Sequence, residues 1–170
     1  MGTVQLPEED ENFPQPLLDP LLCATDGQYV LYDFSAPLAL AIVPGHPLWE
    51  LTDSRPATDP PSTRVIVTSS QFRGNISIAV DETNFVSVLD VLNGVHQYLH
   101  GRVDGRSITA LQRSQAEASF RDRCDLIADP HVRASEVEAG LRRVDLLGEI
   151  HCFAGLVGVE GNVLQLRLRG

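Results

Sequence analysis

Between residues 63 and 99 the apolar residues change from a strand pattern to a helical repeat, and that change limits the possible folds more than any other feature of the chain. Segments 63–69 (TRVIVTS) and 75–80 (NISIAV) are rich in β-branched residues, and Arg73-Gly74 between them suits a short connection. They predict two strands in an antiparallel pair. From there the spacing switches: Val88, Val91, Leu92, Val95 and Leu99 recur at helical intervals, Ser87 with Asp90 matches a capping box, and Gly101 stops the run. A chain that carries both patterns side by side buries a sheet face against a helix stripe, which is the α+β arrangement.

The flanking segments extend that scheme. Residues 28–34 (QYVLYDF) and 38–43 (LALAIV) read as strands separated by Pro37, and 143–147 (RVDLL), 150–157 and 162–169 read as closing strands with turns at Gly148-Glu149 and Glu160-Gly161. A second helix is expected over 107–126, with Ile108, Leu111, Ala116, Phe120, Cys124 and Ile127 as its apolar stripe and Asp129-Pro130 ending it. Residues 135–141 add a helical turn. The expected architecture is an antiparallel sheet of five to seven strands, packed on one face by two main helices, 87–100 and 107–126. Residues 1–16, proline-spaced and acidic, read as a disordered tail, and 17–170 as a single α+β domain.

Composition narrows the function. The formal net charge of the 170-residue chain is -10, with Glu8, Glu9, Asp10, Glu11 and Asp19 near its start. Such a chain repels phosphate backbones, so nucleic acid is not the expected partner. All thirteen basic residues are arginine, and without lysine there is no Schiff-base chemistry. Cys23, Cys124 and Cys152 are odd in number and widely spaced, which suits free thiols in a reducing compartment. No stretch is long and apolar enough for a membrane helix, and the acidic start does not resemble a signal peptide. Cytoplasm or nucleus is the expected location, with no membrane partner.

Several stretches resemble a known family in order as well as wording: YDFSAP at 32–37, PATDPPSTRVIV at 56–67, FVSVLDVLNGVHQYL at 85–99 and LRRVDLLGEIHCFAGL at 141–156. The family is one of small fungal proteins, abundant in mushroom-forming basidiomycetes and known as a domain of unknown function. The resemblance implies a small intracellular α+β domain and carries no activity, cofactor or ligand onto residues of this chain. Two positions depart from the family pattern: Tyr32 stands where tryptophan is usual, and Glu149 where a second glycine often follows Gly148.

Candidate chemistry is sparse. His96 and His100 lie at i and i+4 on the first helix, as a metal pair would, but a third ligand would have to come from elsewhere, from His46 or His151, the glutamate of zinc-protease helices is missing, and no metal site or cofactor is assigned. Cys124 and Cys152 read as structural thiols, because neighbours such as His151 and Cys152 in a strand point to opposite faces. Asp33, Asp53, Asp59, Asp90 and Asp145 come from five segments, and a buried Asp145 would pair with Arg64 or Arg143. The preferred binding surface is the 46–61 region, with His46 and Trp49, since loops carry recognition and a lone tryptophan suits it. The ending LQLRLRG reads as a half-buried edge strand. Dinucleotide, P-loop and nucleophile-elbow motifs are absent.

Two functions follow. One is a protein-binding or regulatory module that uses the 46–61 surface. The other is a small-molecule enzyme or ligand carrier with Asp33, His46 and the closing strands lining a pocket between sheet and helices. Catalytic residues are not assigned, and whether the chain is an enzyme is left open.

Overall fold

The computed structural model describes residues 16–23, 30–43, 46–47, 55–81, 84–103 and 108–170, of which 46–47 are described by backbone alone. The strands are β1 (Leu17–Leu18), β2 (Ile42–Val43), β3 (His46–Pro47), β4 (Thr58–Asp59), β5 (Arg64–Thr68), β6 (Ile76–Ala79), β7 (Cys152–Glu160) and β8 (Val163–Arg169). The helices are α1 (Val88–Leu99), α2 (Ala110–Asp125) and α3 (Pro130–Ala139), with 3-10 segments at Leu38–Leu40 and Arg143–Leu147.

Period-two burial builds the main sheet. Val65 and Val67 of β5, Ile76 and Ile78 of β6, and Leu164 and Leu166 of β8 are buried while their neighbours are not. The sheet has four strands in the order β6-β5-β8-β7 and is mixed, because β5 runs antiparallel to β6 but parallel to β8. Two short ladders, β1-β4 and β2-β3, stand apart from it. The expected single antiparallel sheet of five to seven strands is therefore corrected. One reason lies in 28–34, whose described part divides its backbone bonds between two neighbours: Leu31 exchanges both bonds with Ile42, while Asp33 bridges to Cys152. Each of these pairings is a single isolated bridge, so no strand of the main sheet forms here. Likewise 38–43 spends its first half on a 3-10 turn after Pro37, and RVDLL, expected as a strand, is the second 3-10 segment.

Helix α1 forms where expected. Its capping box joins the Ser87 side chain to the Asp90 backbone N–H and Asp90 back to the Ser87 N–H. Val88, Val91, Leu92, Val95 and Leu99 are all buried, and each such side chain contributes about 1.5–3 kcal/mol of burial. Gly94 lets the helix lie directly on the sheet, since a Cβ there would stand 2.7 Å from Cγ1 of Ile78.

Helix α2 departs from expectation. It begins at the N-cap Thr109, and of its expected stripe only Ala116 and Cys124 are buried, while Leu111 is exposed. Among the described residues its main neighbours are the second 3-10 segment and α3, not the sheet. Two helices on one sheet face are thus not observed. Asp129-Pro130 does end α2's segment, and it also starts α3: the Asp129 carboxylate accepts from the His131 and Val132 N–H groups, with Pro130 in the first turn. No helix among the described residues is long and apolar enough to cross a membrane.

Candidate functional site

The segment Tyr32 to Pro37 hangs on the chain leading into β7. The Phe153 N–H donates to the Tyr32 carbonyl (2.7 Å), and the Phe34 N–H donates to the His151 carbonyl (3.0 Å). Tyr32 and Phe34 enter the core, and alternation turns Asp33 outward, where its Oδ1 accepts from the Ser35 N–H at 2.7 Å. Beside this segment lies the last turn of α1, with His96 and His100 stacked at 4.0 Å between ring centroids.

Here the segment, the end of α1, α2 and α3 enclose a cavity of about 510 Å³. Its mouth is apolar and open: Leu126 is 82%, Leu40 65% and Val132 49% exposed. Its polar side is a chain of ion pairs. Arg123, 8% exposed, donates from Nε and Nη2 to the Asp145 carboxylate at 2.8 and 3.1 Å and from Nη1 to Glu136 at 2.7 Å. Glu136 in turn accepts from Arg142 Nη2 at 2.6 Å, and Arg142 Nη1 donates to His100 Nδ1 at 2.8 Å. Two arginines and two carboxylates therefore satisfy one another before any ligand arrives.

The histidine protons follow from their partners. The Phe34 carbonyl can only accept, so His100 donates to it from Nε2 at 2.8 Å and its Nδ1 is the acceptor for Arg142. Both nitrogens are engaged, which removes the His96/His100 pair as a metal site. The Tyr32 hydroxyl donates to the Ala36 carbonyl, so His96 Nδ1 donates to the Tyr32 oxygen. Neutral His96 then carries a lone pair on Nε2 to which no described residue bonds. Burial, then the neighbouring His100 and Arg142, lower the His96 pKa to about 4, and burial is the main cause lowering that of His100.

A pH dependence results. The folded chain holds fewer protons on these rings than the unfolded chain, so their contribution is full above about pH 6.5 and is lost as pH falls toward about 4. Urea unfolding midpoints are expected to drop across this window, and His96→Gln is expected to flatten part of the drop.

The sequence candidates separate on the structure. Asp33 lines the cavity and a smaller neighbour of about 150 Å³. His46 pairs by backbone with Val43, while its side chain, Trp49 and Asp53 lie outside the described residues, as does 1–15 of the expected tail. Asp59 lies in β4 and Asp90 caps α1, away from the cavities, whereas Asp145 shares the smaller cavity with Asp33, where Arg123 neutralises it. Asp145 pairs with Arg123, not with Arg64, which donates to Ser77, or Arg143, which stacks over Tyr98. The 3-10 conformation of RVDLL makes that choice, since it buries Val144 and Asp145 together. Among the described residues no strand residue lines the cavity, which is bounded by helix ends and the Asp33 segment. Arg123, Glu136 and Arg142 were not legible as site residues, because nothing local marks residues that meet only through the fold. His151 and Cys152, expected to point apart, come together with Asp33, because His151 precedes β7 and escapes strand alternation.

A further cavity of about 470 Å³ holds Arg143 and Tyr98, whose polar groups are already used: Arg143 donates to the Tyr98 carbonyl, and the Tyr98 hydroxyl to the Arg73 carbonyl.

Fold and site together define an α+β domain with an apolar-mouthed cavity backed by buried ion pairs. The chain belongs to a family of unknown function (DUF6699), whose model matches residues 30–163. No curated protein and no solved structure matches it.

Proposed function

We propose that this protein is a small-molecule-binding domain whose ligand sits in the cavity between Asp33, the end of α1, α2 and α3. One observation carries the reading: a space of about 510 Å³ combines apolar walls with a few fixed polar groups, including the His96 ring. Binding sites have this size and composition, and perturbed histidines concentrate in them. Because the arginines are already neutralised by Glu136 and Asp145, the fitting ligand is compact and uncharged, with an apolar body and one hydroxyl or amide N–H to donate to His96 Nε2. No reaction is assigned.

The reading of the chain as a protein-binding or regulatory module rests on the 46–61 surface, whose described part offers nothing that favours it. The three free cysteines and the fungal motif resemblance support an intracellular, cytoplasmic or nuclear protein of basidiomycete type, and the net charge supports a ligand other than nucleic acid. We take 17–170 as one domain.

The test is a library of small phenols, alicyclic alcohols and amides, screened by ligand-observed NMR. Hits are expected to shift the His96 and His100 ring signals and to lose at least about tenfold in affinity in Val132→Trp, which fills the mouth of the cavity with a larger side chain. A library without hits, or hits indifferent to Val132→Trp, would remove the proposal.

A further inference from the structure

We infer that Asp33, His151 and Cys152 form a site for a divalent transition-metal ion of the zinc class. The three side chains bring one carboxylate oxygen, one imidazole nitrogen and one sulfur to within 4.8 Å of one another. Two features of the backbone make the meeting fixed rather than casual. Asp33 and Cys152 face each other across a bridge, and the His151 carbonyl accepts from the next residue of the same segment, Phe34.

The hydrogen bonding of His151 carries the inference furthest. Its Nδ1 lies 2.8 Å from the Gly148 carbonyl, which can only accept, so the Nδ1 proton is placed there. Nε2 is left facing Asp33 Oδ2 at 3.5 Å. In the neutral ring this sets a lone pair beside a carboxylate, two electron-pair donors turned toward one point, as a cation between them would require. A ring N–H given to a backbone carbonyl with the other nitrogen turned toward further donors is how metal-binding histidines are oriented. A proton on Nε2 would bridge the same two groups without Cys152, whereas a metal ion also engages the thiol, and this is the difference that a cobalt titration reads.

The donor set selects the ion. Sulfur and imidazole favour zinc-class metals over magnesium or calcium, and three protein donors leave a tetrahedral fourth position for water. Tetrahedral coordination at about 2.0–2.3 Å places donors roughly 3.3–3.8 Å apart. Asp33 and His151 already stand so, and a rotamer adjustment brings in Cys152. On binding, the Cys152 S–H bond breaks, its electron pair goes to the metal and the proton leaves to water. Asp33 and His151 are part-exposed, so an ion can enter from solvent.

The whole chain, stripped of metal, is titrated with Co²⁺ as an optical probe. One equivalent is expected to give a thiolate-to-cobalt charge-transfer band that Zn²⁺ then displaces. Cys152→Ser should abolish the band, and Asp33→Asn and His151→Gln should each weaken binding at least about tenfold. Cys124→Ser and Val132→Trp should leave it unchanged, which keeps this result separate from that of the ligand screen. Circular dichroism confirms that each variant is folded. No band in the wild-type chain, or a band that survives Cys152→Ser, overturns the site.

Discussion

Asp145→Ala is expected to lower the unfolding free energy by about 3–5 kcal/mol, the cost of leaving a buried charge without its partner. Asp145 is 2% exposed and accepts three bonds, two from Arg123 and one from the Arg142 backbone N–H at 2.8 Å. Without the carboxylate the Arg123 guanidinium keeps only Glu136, which it shares with Arg142. The pair itself need not be strongly stabilising, because taking two charges out of water offsets much of their attraction. The double variant Arg123→Met, Asp145→Leu is therefore expected to be more stable than Asp145→Ala alone. Urea denaturation with an unchanged slope and a lowered midpoint checks both. A single variant within about 1 kcal/mol of the parent would show that water takes over the role of the carboxylate.

Phe34→Ala is expected to cost about 3–5 kcal/mol, through lost transfer energy and the cavity left behind. Phe34 is fully buried and meets Tyr32 and Phe153 edge to face, at 4.7 and 6.2 Å between centroids. Its effect should reach the site. The Phe34 carbonyl holds the His100 ring, and the same residue lies next to Asp33. Loosening it should admit water to His100, whose pKa then rises toward the ordinary histidine range, a change readable by NMR titration of the imidazole.

Helix α1 was legible because its stripe, its capping box and its stop all agree, and agreement between levels marks a well-specified element. The β7-β8 turn was legible to within one residue: it was expected at Glu160-Gly161, but Glu160 pairs with Val163, so Gly161-Asn162 is the connection, with Gly161 at φ 50°. What failed was decided by distant partners. The β5-β8 pairing joins Ile66 to Val163 and leaves no local trace. Helix α2 is anchored by an ion pair, so its apolar residues gave a stripe that the fold does not bury. At the site, Asp33 stood out and lines both cavities, yet the arginines and Glu136 around it come from α2, α3 and the segment after it. The i, i+4 spacing of His96 and His100 was visible, but their engagement by Phe34, Tyr32 and Arg142 was not.

The parallel seam between β5 and β8 sets an order of events during synthesis. A ribosome releases β5 and β6 long before the strand that completes the sheet beside them, and meanwhile the edge of β5 stands open to other chains. Closing so long a loop is entropically slow. The newly made chain thus carries an unpaired strand edge until β8 emerges and fills it.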